Sequence, residues 1–386
     1  MHRDGRGLSS GGRGLCNERG GVHLAPLSLR DRDAIITREG LIFRVLGYTH
    51  PQEGYICDLE YAPEGVYRSE DSRAYRTDGE RVYYKFYGDE GWGFIQRGFP
   101  RYMVFLQPLG RRVLGVRETD IGGVKRPEEA LRKLLECGSK DELTGALERL
   151  MEIVIEGSAI SAQEFGVFGS ILHGFYNPRL SDLDMVVYGR GTLERLRELL
   201  RELYMGGGSR LSNEFEKDES VAGKNWRFRN ITPKEFVWHQ RRKMIYGIFH
   251  DENAGRDIKF EFEPVKLFSE IKNEYNELRR VKWDGWVRAL LRVRDDSEGP
   301  YMPSVYHVEP LEILEGPEVD DVEKVVSYLE EFRMQAWRDE VIYVEGNLEW
   351  VETRGGEYHQ ITLTYGPRYY EQVIKLAEMG TSNQTY

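Results

Sequence analysis

The chain has 386 residues, of which 40% are hydrophobic and 31% charged, with a formal net charge of −11. That length calls for two or three hydrophobic cores, and the acidic balance argues against a general electrostatic grip on nucleic acid. Three widely spaced cysteines, Cys16, Cys57 and Cys137, argue against a disulfide framework or a cysteine zinc site and point to a reducing cytoplasm, while no apolar run reaches the ~20 residues of a membrane span.

Residues 1–30 are rich in Gly, Ser and Arg with little to bury, so a disordered tail is expected; a translation start near Val22 is the alternative. Over 31–120, AIITREGLIFRVLGY, GYICDLEYAP, RVYYKFYG and RYMVFLQPLGRRVLGV are β-branched and aromatic, and Gly and Pro break them up. They predict a small β-rich N-terminal domain. Pro127 opens a helix with Leu131, Leu134 and Leu135 at helical spacing, and Ser139-Lys-Asp-Glu142 reads as a capping box for a second helix through Leu143, Leu147, Leu150 and Val154. FGVFGS (165–170) reads as a strand ending in a turn, DLDMVVYG (182–189) as a strand, and TLERLRELLREL (192–203) as an amphipathic helix.

A Gly-rich loop follows. Thr232-Pro-Lys-Glu235 then reads as a capping box with Pro at the first helical position, before a helix carrying WHQRRK. KMIYGIFH and DIKFEFEPV suit a strand pair turning near 252–255, and together these elements make a domain over 125–275. Helices are expected through Ile271 and Leu278 and over 320–337. GWVRALLRVR, SVYHVEPLEIL, DEVIYVEGNLEWVE and EYHQITLTYG are the strands of a β-rich C-terminal domain, 280–378, that suits a small barrel, with a hairpin turn at 354–357. GTSNQTY at the end reads as a loose tail.

The chemistry concentrates in VFGSILHGFYNPRLSDLDMVVYG, residues 167–189. Residues two apart on a strand project to one face, so Asp182 and Asp184 point together while Leu183 faces the core. Two such carboxylates suit hard divalent cations, which could align an incoming hydroxyl and a leaving pyrophosphate. Gly169 and Ser170 end the preceding strand. Backbone N–H groups at such a turn form a nest for phosphate oxygens, Gly permits close approach, and the serine hydroxyl can donate.

Gly-Ser, about ten residues, then Asp-x-Asp, here GSILHGFYNPRLSDLD, resembles the nucleotidyltransferase superfamily of polymerase beta, the CCA-adding enzymes and the minimal nucleotidyltransferases. The whole chain is also similar to archaeal proteins grouped as predicted nucleotidyltransferases, and its scarcity of amides, ten Asn and nine Gln, is a pattern of proteins from hot habitats. The resemblance implies an α+β fold, a polymerase beta-like core of mixed sheet and helices flanked by the two β-rich domains. It also implies a third carboxylate on a later strand. IKFEFEP (258–264) supplies Glu261 there, where the family usually has Asp, with Asp257 and Glu263 on the same face as fallbacks. The implied catalytic and metal ligands are Asp182, Asp184 and Glu261, holding Mg2+ or Mn2+, with Gly169 and Ser170 at the triphosphate. The implied substrate is an NTP; an RNA 3′ end is the first choice of acceptor, because the added β-rich domains and a basic-aromatic cluster offer means to hold a polymer.

A second cluster, Lys224, Trp226, Arg227, Phe228 and Arg229 followed by Lys234, His239, Gln240, Arg241, Arg242 and Lys243, interleaves bases with aromatics. That mixture suits a triphosphate tail or single-stranded nucleic acid, and Arg241, Arg242 and Lys243 are its candidate nucleotide contacts; a solvated basic face is the competing reading. His173, between Ser170 and Asp182, reads as structural, and His250, His307 and His359 form no metal signature. A degenerate nucleotide-binding or nucleic-acid-binding module, favoured by Glu261 in place of Asp, and a nucleotidyltransferase acting on a protein or small molecule remain as alternatives.

Overall fold

The computed structural model describes residues 28–138, 140–206, 208–222, 225–366 and 368–377. Its strands form three sheets, and its helices gather mainly around the middle one, so the fold is α+β.

The N-terminal sheet comprises β1 (Ala34–Thr37), β2 (Ile42–Val45), β3 (Gly54–Pro63), β4 (Tyr75–Thr77), β5 (Val82–Lys85), β6 (Met103–Leu106), β7 (Arg111–Arg117) and β8 (Ile121–Lys125). Its order is β4-β5-β3-β2-β1-β8, with β7 also on β3 and β6 on β7. Helix α1 (Glu90–Gly98) closes a core of Phe43, Leu59, Ile95, Tyr102 and Val116.

Two helices follow, α2 (Pro127–Cys137) and α3 (Glu142–Ser158). Ser139 lies outside the described residues; Asp141 is the N-cap, accepting from the Leu143 and Thr144 N–H groups, with Thr144 completing the box. The central sheet contains β9 (Phe165–Val167), β10 (Leu183–Tyr188), β11 (Leu211–Asn213), β12 (Tyr246–Asp251) and β13 (Arg256–Val265), in the order β11-β12-β13-β10-β9. Only β10 and β13 run parallel. Between them in sequence come α4 (Gly169–His173, just ahead of β10), α5 (Arg190–Met205) and α6 (Pro233–Lys243). The Thr232–Glu235 capping box starts α6 as its sequence predicts. Leu193, Leu196 and Leu200 of α5 and Leu147, Leu150 and Val154 of α3 pack with Leu183, Met185 and Val187 in one core.

The C-terminal strands are β14 (Leu278–Glu298), β15 (Ser304–Glu315), β16 (Val322–Ser327), β17 (Val341–Thr353), β18 (Glu357–Leu363) and β19 (Val373–Leu376). They close on themselves: β14-β15-β16-β18-β17, and β17 returns to β14, with β19 added to β17. Numbered from β14, the ring runs 1-2-3-5-4-1 with the third and fifth strands parallel, the Greek-key order of an OB-type barrel. The turn at 354–357 joins β17 to β18.

Two expectations fail. The segment 320–337 is not a helix but β16 and a single 3-10 turn at Glu330–Phe332; Val322, Val325, Val326, Leu329 and Phe332 have helical spacing, but parallel pairing with β18 overrides it. The helix through Ile271 and Leu278 is two 3-10 turns, Phe268–Glu270 and Glu274–Asn276, before β14 begins. The tail assigned to 1–30 lies outside the described residues as far as 27, but its last residues are packed. Leu29, Arg30, Asp31, Arg32 and Asp33 are all buried.

The sheets meet around the middle one. Tyr61 and Tyr83 of the N-terminal sheet pack on Leu172 and Phe175 at the end of α4. Tyr48 and Tyr301, from the N-terminal and C-terminal parts, share a cluster with Phe168, Val186, Tyr188 and Val265 of the middle. Among the described residues no helix is long and apolar enough to cross a membrane.

Candidate active site

The polar face of β10 and β13 holds the carboxylates. β10 alternates: Leu183, Met185 and Val187 enter the core, and Asp184 points the other way. Because β10 and β13 are parallel and in register, Asp184 stands opposite Glu261, and Val186 opposite Glu263. Further along the same face Val186, Tyr188 and Val265 are apolar and covered, so the acids occupy one end of a face whose other end is sealed. Asp182 sits one residue before β10 and is exposed. Its loop is held by Arg256, which donates to the carbonyls of Ser181 at 2.8 Å and Pro178 at 3.3 Å.

Gly169 begins α4 directly beside this pair. The Phe168 N–H donates to the Asp184 carbonyl at 3.0 Å, stitching the turn to β10. Gly169 has φ +60°, and a Cβ there would overlap the Asp184 carboxylate, so both the backbone conformation and the space demand glycine. Ser170 follows, half-buried, its hydroxyl making no hydrogen bond among the described residues. Gly174 caps α4 in the left-handed region.

None of Asp182, Asp184 and Glu261 has an ion pair or side-chain hydrogen bond among the described residues. Burial, then the neighbouring Asp182 charge, pushes the Asp184 carboxyl up to about 7. Burial also raises Asp182. Burial, then the Glu263 and Asp184 charges, raises Glu261 well above the usual range. This is negative charge crowded with no cation bonded to it, Lys85, Arg32 and Lys259 acting only at a distance, and the donors are all carboxylate oxygens, the chemistry that hard divalent ions select. The donor set fits such an ion, although no three His, Cys, Asp or Glu side chains among the described residues are gathered into one ready ligand set.

The fallback acids are engaged elsewhere. Glu263 is buried and held by Arg333, Nη2 to Oε1 at 2.7 Å with a second bond from Nη1, and by Arg32 at 2.8 Å. Burial would raise its pKa, but the two guanidiniums reverse that and hold it below the usual value. Arg32 also binds Glu330 at 2.8 Å, which Arg44 meets at 3.0 Å. Asp257, at the far start of β13, accepts from His250 at 2.8 Å and is exposed.

The basic cluster splits. Lys224 lies outside the described residues. Trp226 and Phe228 pack against the barrel core, Arg227 lies over Tyr370 and Arg229 pairs with Glu371 at 3.0 Å. Arg241 donates to the carbonyls of Phe215 and Glu216. Arg242 pairs with Glu340 at 2.5 Å and stacks over Trp337. Lys243 is fully buried, donates to the Glu331 carbonyl at 2.9 Å, and burial drives its pKa well down. These three side chains join α6 to its surroundings, and a nucleotide would have to displace those bonds. His173 is buried between Tyr61 and Phe175, its pKa pushed down to about 3 by burial. Sequence reasoning passed over Arg32, Glu330 and Arg333. Only the alternating LRDRD run, 29–33, hints at a buried charge network, since opposite charges side by side can neutralise one another.

Residues 147–298 match the family model described as the nucleotidyltransferase domain. The chain is 27% identical over 354 residues to an uncharacterised protein, MJ1086, of Methanocaldococcus jannaschii, covering 91% of this chain and 99% of that protein. No solved structure matches it.

Proposed function

We propose that this enzyme, whose residues 147–298 form a nucleotidyltransferase domain, moves a nucleoside monophosphate from an NTP to an acceptor hydroxyl on RNA, with Asp182, Asp184 and Glu261 at its catalytic centre. The nucleotidyltransferase class follows from the family match. The finer reading rests on one observation: Asp184 and Glu261, 77 residues apart in sequence, stand in register on parallel strands beside a glycine in the left-handed region, where a Cβ would crowd the Asp184 carboxylate.

Domains of this family use divalent metals, and here Asp182, Asp184 and Glu261 would hold Mg2+ or Mn2+. When bound, such an ion supplies charge neutralisation at the phosphates. The first turn of α4 offers unpaired backbone N–H groups and the Ser170 hydroxyl to phosphate oxygens. Glu261 takes the proton of the acceptor hydroxyl as its oxygen attacks the α-phosphorus; the bond to the β-phosphate oxygen breaks and pyrophosphate leaves with the electron pair. The sealed apolar end of the face, Val186, Tyr188 and Val265, keeps water from one side of the reacting group.

An RNA acceptor is supported by the OB-type ring of the C-terminal strands, a scaffold suited to oligonucleotides. One observation favours a second reading, a nucleotide-binding module without turnover: the three acids are not gathered into a ready metal set. Incubation with α-labelled NTPs, Mg2+ or Mn2+, and a mixture of cellular RNA and protein tests both. Label in RNA supports the proposal. Label in protein keeps the chemistry and moves the acceptor, and nucleotide binding with no label in either selects the inactive module or a small-molecule acceptor.

A further inference from the structure

Lys85 ends β5 of the N-terminal sheet, a part of the chain without a role so far. It pairs opposite Tyr61 on β3, so the two side chains leave the sheet on one face. Tyr61 meets His173 at 5.3 Å and Phe175 at 5.4 Å, ring to ring. Tyr83, two residues before Lys85 and therefore on that same face, meets Phe175 at 4.7 Å. These rings hold β5 over α4, the short helix that Gly169 and Ser170 begin.

The ammonium of Lys85 lies in the field of Asp184, Glu60 and Glu330, yet it forms no hydrogen bond or ion pair among the described residues. The three guanidiniums near it are committed: Arg32 to Glu263 and Glu330, Arg44 to Glu330 with Asp58 and Glu60 within 3.6 Å, and Arg333 to Glu263. An acidic site that admits a polyanion needs positive charge free to meet it. A lysine is a compact point charge on a flexible stem, well matched to phosphate oxygens.

We propose that Lys85 is a substrate-binding residue that contacts the triphosphate held at Gly169 and Ser170, so that the N-terminal sheet completes the active site. This rests on the nucleotidyltransferase reading above. No strong pair has to break for Lys85 to reach a phosphate, and the sheet that carries it is anchored by buried rings rather than by a loop.

The test is equilibrium titration of the full chain with a Mg2+-bound, non-hydrolysable α,β-methylene NTP and with the matching nucleoside. Wild type, Lys85→Met and Lys85→Arg are compared, with thermal melts as the folding control. One lost charge-assisted contact corresponds to a loss of about 10- to 100-fold in affinity for the triphosphate, with nucleoside affinity unchanged and Lys85→Arg recovering most of the loss. Unchanged triphosphate affinity in Lys85→Met overturns the proposal while leaving the catalytic reading intact. So does an equal loss for nucleoside and triphosphate, or a loss in Lys85→Arg as large as in Lys85→Met. A wild-type chain that binds neither ligand overturns the catalytic reading and this proposal together.

Discussion

At Asp184 one side chain answers to two demands. It must be ionised to hold a cation, and it sits half-buried beside Asp182 and Glu261, where loss of solvation and the Asp182 charge keep its proton on up to about pH 7. In the metal-free protein the native state therefore binds a proton that the unfolded chain, with an ordinary value near 3.8, has already lost. Stability contributed by this group falls as pH rises from about 4 to 7. Asp184→Asn removes the charge, so metal-free wild type and variant should melt together at pH 4, while at pH 8 the variant should melt several degrees higher. A pH-independent difference between them would contradict this. The same substitution should lower transfer by more than about a hundredfold in a labelled-NTP assay. Gly169 is constrained as tightly from the other side. Gly169→Ala forces a left-handed residue to carry a Cβ into the Asp184 carboxylate, and urea denaturation should register a loss of about 1–3 kcal/mol.

Among the elements, β13 is the informative one. Its outward residues take opposite fates two positions apart: Glu261 has no basic partner among the described residues, and Glu263 is locked between Arg32 and Arg333. Arg333→Met removes the bidentate partner of the buried Glu263 carboxylate and leaves it Arg32 alone, which should cost up to about 3–5 kcal/mol, and Arg333→Met with Glu263→Leu should recover much of it. A single variant as stable as wild type would show that the pair is not needed for the fold. Much of this element structure was legible in the sequence. The alternation in DLDMVVYG and DIKFEFEPV, and the Thr232–Glu235 box, are local signals, and β10, β13 and α6 formed where they stand. What escaped depends on distant partners. Residues 322–327 have both helical spacing and β-branched content, and only β18 beside them decides. Nothing in Arg241, Arg242 or Lys243 indicates that carbonyls and tryptophans of other segments will engage them. The register of Asp184 against Glu261 was not readable either, although strand alternation already put Glu261 on one face with Asp257 and Glu263.

Taken whole, the molecule is bolted together by charge at the point where its three sheets meet. Arg32 precedes the N-terminal sheet, Glu263 belongs to the central one, and Glu330 and Arg333 come from the connection between β16 and β17. The aromatic cluster of Tyr48, Tyr188 and Tyr301 joins the same three parts. Loss of any one sheet would leave buried charges without partners, so calorimetry of the full chain should record a single cooperative transition. Two resolved transitions would mean that the junction contributes little.

The position of Arg333 has a consequence for the order of events during synthesis. Every residue of the proposed catalytic centre has been added by Glu261, yet of the two guanidiniums that hold Glu263, two positions beyond it, only Arg32 is already present; Arg333 arrives 70 residues later. Until then the Glu263 carboxylate at the end of β13 has one of its two guanidiniums and lacks the bidentate one. The pairing of Asp184 with Glu261 is therefore expected to be insecure in the nascent chain, and the enzyme to become competent only when nearly all of its sequence is available.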